Sequence, residues 1–163
     1  MEIVKAMQLL QQGLGAVPVA LAINRATVGT FFVLSGYQKL FKPARHDELV
    51  GTLRADGVHV IPIMQWVIPC AEFAGGLALV SGTLSVIAAL GLMVIMGGAL
   101  SLDGIKRIAA WKPLDRADWL DDLLYLPETP YMLALLVVVL AGPGALAVDS
   151  LLLHGLDAWS KPS

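Results

Sequence analysis

Val17–Leu40 reads VPVALAINRATVGTFFVLSGYQKL, an apolar run interrupted by a single charge, Arg25, until Lys39. At a rise of about 1.5 Å per residue such a run is long enough to cross a bilayer core of roughly 30 Å as a helix. Three more stretches share the pattern: Val60–Gly82, Leu84–Leu102 and Pro130–Leu153. Four such runs in a chain of 163 residues leave nothing else to bury them. Each is also about twice the length of a barrel strand and lacks its two-residue alternation, so the backbone must satisfy itself as helix.

Composition agrees with this reading. The chain is 57% hydrophobic and 15% charged, with a mean hydropathy of +0.74, whereas a soluble domain is about a quarter charged. The net charge of -2 offers no basic field for nucleic acid. The single cysteine, Cys70, excludes an internal disulfide and a paired-cysteine redox motif, and the three histidines (His46, His59, His154) are too scattered for a haem or metal site. The expected fold is all-α: a polytopic membrane protein forming one domain over residues 1–163, a four-transmembrane-helix bundle with short interfacial amphipathic helices.

Three such helices are expected. In residues 1–15, Ile3, Val4, Met7, Leu10 and Leu14 share one helical face, which reads as a short interfacial helix or, alternatively, a frayed terminus. Arg45–Ala55 places Leu49, Val50 and Leu53 together, with Gly57 as a stop. Asp115–Leu126 sets Trp119, Leu120, Leu123 and Leu124 against four aspartates, a face suited to a membrane surface or to a partner protein. The loop after the first span carries Lys42, Arg45 and Arg54, and the loop after the third carries Lys106, Arg107, Lys112 and Arg116. The opposite side has only Lys5 and Lys161. The positive-inside rule makes the two basic loops cytoplasmic and both termini periplasmic.

Ionisable groups inside a bilayer are expensive and each needs a reason. Arg25 is expected about 12 Å, and Glu72 about 15 Å, from the outer ends of their antiparallel spans. Equal depth predicts that the two meet, with Gly29, Gly36, Gly75 and Gly76 allowing close helix approach. Two readings stand: a structural ion pair that fixes packing, or a site for a proton or a polar headgroup such as a quinone ring. Gly142-Pro143-Gly144 is expected to break the fourth span, leaving Asp149 near the outer interface as a rival partner for Arg25. Ser35 and Lys39 extend the polar path toward the cytoplasmic end.

The pattern Arg25-x3-Gly29-x-Phe31-x3-Ser35-Gly36-x2-Lys39-Leu40, then Glu72-x2-Gly75-Gly76, then Glu128 and Gly142-Pro143-Gly144 with Asp149, resembles the DoxX family of small bacterial membrane proteins. The chain departs from the family's Ser-Leu-Asp after Gly-Pro-Gly, having Ala147-Val148-Asp149. The resemblance implies a four-helix protein of the bacterial inner membrane. It is also similar to the DoxD-type small subunit of thiosulfate:quinone oxidoreductase, which implies a subunit or partner of a membrane redox system that interacts with quinone. In that reading Arg25 donates to a quinone oxygen and Glu72 relays a proton or holds Arg25. No covalently bound cofactor and no metal is expected, and the expected partners are the bilayer, a redox protein and a second copy of the chain. The alternative is a non-catalytic anchor, assembly or maintenance protein that docks partners through its cytoplasmic loops.

Overall fold

Three helices open on proline, each in the first turn, where a missing N–H leaves no hydrogen bond unmade: α1 (Val17–Phe41), α2 (Pro43–Ala55) and α3 (Ile61–Ser81). Pro43 also ends α1, because the residue before it, Lys42, is pushed into extended backbone. The computed structural model describes residues 15–159, so the amphipathic segment expected over residues 1–15 lies, apart from Gly15, outside the described residues. After α3 come α4 (Ser85–Ala99), a π turn (Leu100–Gly104), α5 (Ile105–Trp111), α6 (Arg116–Tyr125), α7 (Glu128–Ala141) and α8 (Val148–Trp159).

α1 and α3 form the closest pair in the bundle, and glycine is the cause. A Cβ at Gly36 would stand 2.5 Å from the Phe73 nitrogen, one at Gly76 2.6 Å from the Val33 nitrogen, and one at Gly29 2.8 Å from the Gly76 oxygen. Backbone therefore rests on backbone, as small residues permit in a membrane where apolar burial supplies little drive. α4 packs on α3 and α7, and Asn24 of α1 donates to the Ala134 carbonyl of α7 at 2.9 Å. Val28, Phe32, Leu79, Ala89, Leu92, Leu135 and Val138 fill the space between these four helices.

α1, α3 and the continuous run Ser85–Trp111 are each long and apolar enough to cross a membrane. Two expectations about span limits need correction. The third span does not end at Leu102: helix continues through the π turn to Trp111, so Lys106 and Arg107 ride on helix rather than loop. The fourth does not run from Pro130 to Leu153. α7 has 14 residues, about 21 Å of helix, and it reaches spanning length only with α6, from which it bends by 68°. The break expected at Gly142-Pro143-Gly144 is present, with both glycines at positive φ (75° and 78°) and helix resuming at Val148.

Candidate functional site

The two loops rich in Lys and Arg lie at one end of the bundle, hereafter the basic end. Lys106 pairs with Asp56 at 2.5 Å, and Arg107 pairs with Glu128 at 2.5 Å. The expected helices are there: Leu53 of α2 is buried with Leu49 and Val50 partly covered, and α6 is capped by Asp115, whose carboxylate accepts from the Ala117 and Asp118 amides. The opposite end carries the short turn between α3 and α4 at Gly82-Thr83-Leu84.

Arg25 and Glu72, expected to meet, stand at different levels of the bundle. The Arg25 guanidinium donates to the carbonyls of Leu79 (2.8 Å), Val80 (3.4 Å) and Leu146 (3.2 Å). It thus caps the last turn of α3 and ties it to the segment after the Gly-Pro-Gly break. Glu72 accepts instead from Lys39, at 2.7 Å to each carboxylate oxygen, and from the Ser35 hydroxyl at 3.1 Å. The physical reason is register. The glycine contacts set Gly29 against Gly76 and Val80, and Gly36 against Pro69 and Phe73. Glu72 then stands level with Ser35, ten residues or about 15 Å along α1 from Arg25. Equal distance from the outer ends of two spans does not mean equal level when α1 starts well before α3 stops.

Asp149 holds the Gly82 turn. Its carboxylate accepts from the amides of Leu84 (3.0 Å) and Ser85 (3.3 Å), while its own amide donates to the Gly82 carbonyl at 3.0 Å. A residue far along the chain therefore N-caps α4, which has no side-chain cap of its own. Asp149 also attracts Arg25 electrostatically. The suspected rival partner thus works beside Arg25 as a clamp on the α3–α4 hairpin.

The polar cluster at membrane depth is Ser35, Lys39 and Glu72. Glu72 has a side-chain exposure of 1% and Lys39 one of 26%. Around them two cavities meet. One, of about 430 Å³, is walled largely by apolar side chains, among them Phe31, Met64, Ile68, Val94 and Leu102, with Lys39, Asp56, Glu72, Asp103 and Glu128 as its ionisable groups. The other, of about 410 Å³, is lined by Gln38, Arg45, Glu48 and Arg107 together with residues shared between both. Phe31 is held in place by stacking on Tyr131 of α7, ring centroids 3.8 Å apart.

Three residues outside the predicted site complete the cluster. Asp103 and Glu128 line both cavities, and Arg107 joins them, 2.9 Å from Asp103 and 2.5 Å from Glu128. Asp103 is delivered by the π turn, a one-turn widening of helix that often marks functional positions. Glu128 stood in the family pattern without a role. The signal for the others, Asp103 and Arg107 four residues apart in an apolar context, is hidden when that stretch is read as loop.

A family model described as DoxX matches residues 20–103, just over half of the chain. No curated protein and no solved structure matches it. The matched stretch runs from within α1 to the π turn and contains Arg25, Ser35, Lys39, Glu72 and Asp103, so the glycine-set helix pair and the ion pair it encloses both lie inside it. This multi-pass integral membrane protein belongs to the DoxX family.

Proposed function

We propose that the protein binds a quinone headgroup in the apolar cavity beside Lys39 and Glu72, as a subunit or partner of a redox system in the bacterial inner membrane. One observation carries this: the fully buried Glu72 carboxylate, paired with the half-buried Lys39, in the wall of a largely apolar cavity among membrane-spanning helices. A quinone is an apolar ring and tail whose carbonyl oxygens only accept hydrogen bonds. Lys39 has three N–H donors and gives two to Glu72, which leaves one for such an oxygen. Ser35 spends its proton on Glu72 and keeps lone pairs for a hydroxyl. The chain carries no haem, iron–sulfur or dinucleotide motif, so electrons fall to a partner protein. In this reading Arg25 and Asp149 act on the scaffold and not on the headgroup.

Purification in a mild detergent, followed by solvent extraction and mass spectrometry, tests the reading. Wild-type protein is expected to retain near-stoichiometric quinone, and Lys39→Ala to lose it at least tenfold while remaining monodisperse and helical. Absence of quinone from wild type, or unchanged quinone in Lys39→Ala, would overturn it.

A second reading, a docking or anchoring protein, is favoured by α6, where Trp119, Leu120, Leu124 and Tyr125 are all exposed at the basic end. A stable protein complex recovered without quinone, and lost on Trp119→Asp, would support that reading instead.

A further inference from the structure

The two cavities differ in character and share a wall. Ser35, Lys39, Leu49, Thr52, Asp103 and Glu128 line both. On the polar side the lining adds Arg45 and Glu48, an ion pair with side chains 57% and 64% exposed, which marks a mouth on the surface of the basic end. Water enters a cavity when it finds room and two to four polar partners. A space of 410 Å³, at a share of roughly 30 Å³ per water, has room for about a dozen waters. The wall of that space carries Asp103, Arg107 and Glu128, joined through Arg107, and Lys39, which reaches Glu72; Glu128 Oε2 finds no hydrogen-bond partner among the described residues.

The other direction is closed. Between Glu72 and the Gly82 turn, Val28, Phe32, Leu79, Leu92, Leu135 and Val138 are at most 3% exposed. Gly29 and Gly76 bring the α1 and α3 backbones together at the same level. No polar chain can cross such packing without opening it.

We infer that the polar cavity is the aqueous inlet of the Lys39–Glu72 site, so that water and protons reach the pair from the basic end alone. Any proton taken up or released by a headgroup in the apolar cavity then exchanges with that side of the membrane, through the wall that Asp103 and Glu128 share. The inference rests on the site proposed above, but not on the headgroup being a quinone.

Substituted-cysteine accessibility tests it in membrane vesicles of both orientations, using a Cys70→Ala background and a membrane-impermeant, positively charged thiosulfonate. Lys112→Cys and Thr83→Cys report the basic and Gly82 sides. Ser35→Cys is expected to react from the Lys112 side only, and at least tenfold faster than Ile68→Cys, which lines the apolar cavity alone. Should Ser35→Cys fail to fold, acylation of Lys39 in the wild-type chain by a charged, impermeant ester, mapped by mass spectrometry, gives the same reading. An inert position 35 in folded protein, labelling from the Thr83 side, or labelling of Gln38→Cys without Ser35→Cys would overturn the inlet. Failure here in a protein that still carries quinone leaves the proposed function standing, and labelling without bound quinone does the reverse.

Discussion

At the scale of single residues, Lys39 and Glu72 form the ion pair at the centre of the candidate site. Glu72 is buried, so removing Lys39 strands its charge, which costs on the order of 3–5 kcal/mol. Lys39→Ala is therefore expected to lower the unfolding temperature in detergent sharply, and the double change Lys39→Ala with Glu72→Ala to recover part of the loss. Additive losses in that cycle would show that the two do not interact. The same cycle on Arg25 and Glu72 should be additive within about 0.5 kcal/mol, because they share no partner and stand about 15 Å apart along the bundle. Arg25 should couple to Asp149 instead, through the hairpin turn that both hold. Measured coupling between Arg25 and Glu72 would refute this register of α1 against α3.

At the scale of elements, two features decide where the side chains point. The glycine seam between α1 and α3 sets the level of every polar group on those helices. Gly36→Ala puts a methyl group into the Phe73 backbone, where no rotamer change can relieve it. Overpacking of this kind costs about 1–3 kcal/mol and should also separate Ser35 and Lys39 from Glu72. The expected result is lower thermal stability together with loss of whatever the cavity binds. Gly51→Ala on α2, where the added methyl group meets nothing, is the control. The second feature is the Gly82 turn. Gly82 sits at φ 79°, a conformation a side chain resists by about 1–2 kcal/mol, and its Cβ would strike Arg25 and Ala147. Gly82→Ala should thus destabilise by more than Asp149→Ala, which removes a cap worth about 0.5–2 kcal/mol. Thermal unfolding of the two variants side by side checks the order.

At the scale of the whole molecule, the two cavities and most basic side chains gather at one end of the bundle. Arg45, Arg54, Lys106, Arg107, Lys112 and Arg116 belong to the same end as the two cavities, and the Gly82 turn carries no basic side chain. By the positive-inside rule the basic end is the one expected on the cytoplasmic side. In intact cells an impermeant maleimide that reaches the periplasm should label Thr83→Cys and leave Lys112→Cys unlabelled, with the reverse in inverted vesicles. The opposite result would turn the molecule over and would place the mouth of the polar cavity in the periplasm. The exposed apolar face of α6, set at 68° to α7, lies at that same end.

Hydrophobic length, proline position and charge counting are local properties, and each could be read from the chain. They yielded the helical membrane class, the starts of α1 and α3, the amphipathic α2 and α6, the break at Gly142-Pro143-Gly144 and the sharing of one end by the two basic loops. They also singled out Arg25 and Glu72 as charges needing a partner, with Asp149 as a rival partner and Ser35 and Lys39 only as an extension of the polar path. Partnership itself is not local. Which charge meets which depends on the axial offset of two helices. That offset is decided by where glycine lets backbones touch, not by counting inward from the ends of hydrophobic runs. The π turn that turns Asp103 into the cavity wall, and the cap that Asp149 lends to a helix more than sixty residues before it, arise only once the helices are packed. Tertiary structure thus gave Glu72 the partners Lys39 and Ser35 in place of Arg25, because packing surfaces set register and register decides which buried charges can satisfy one another.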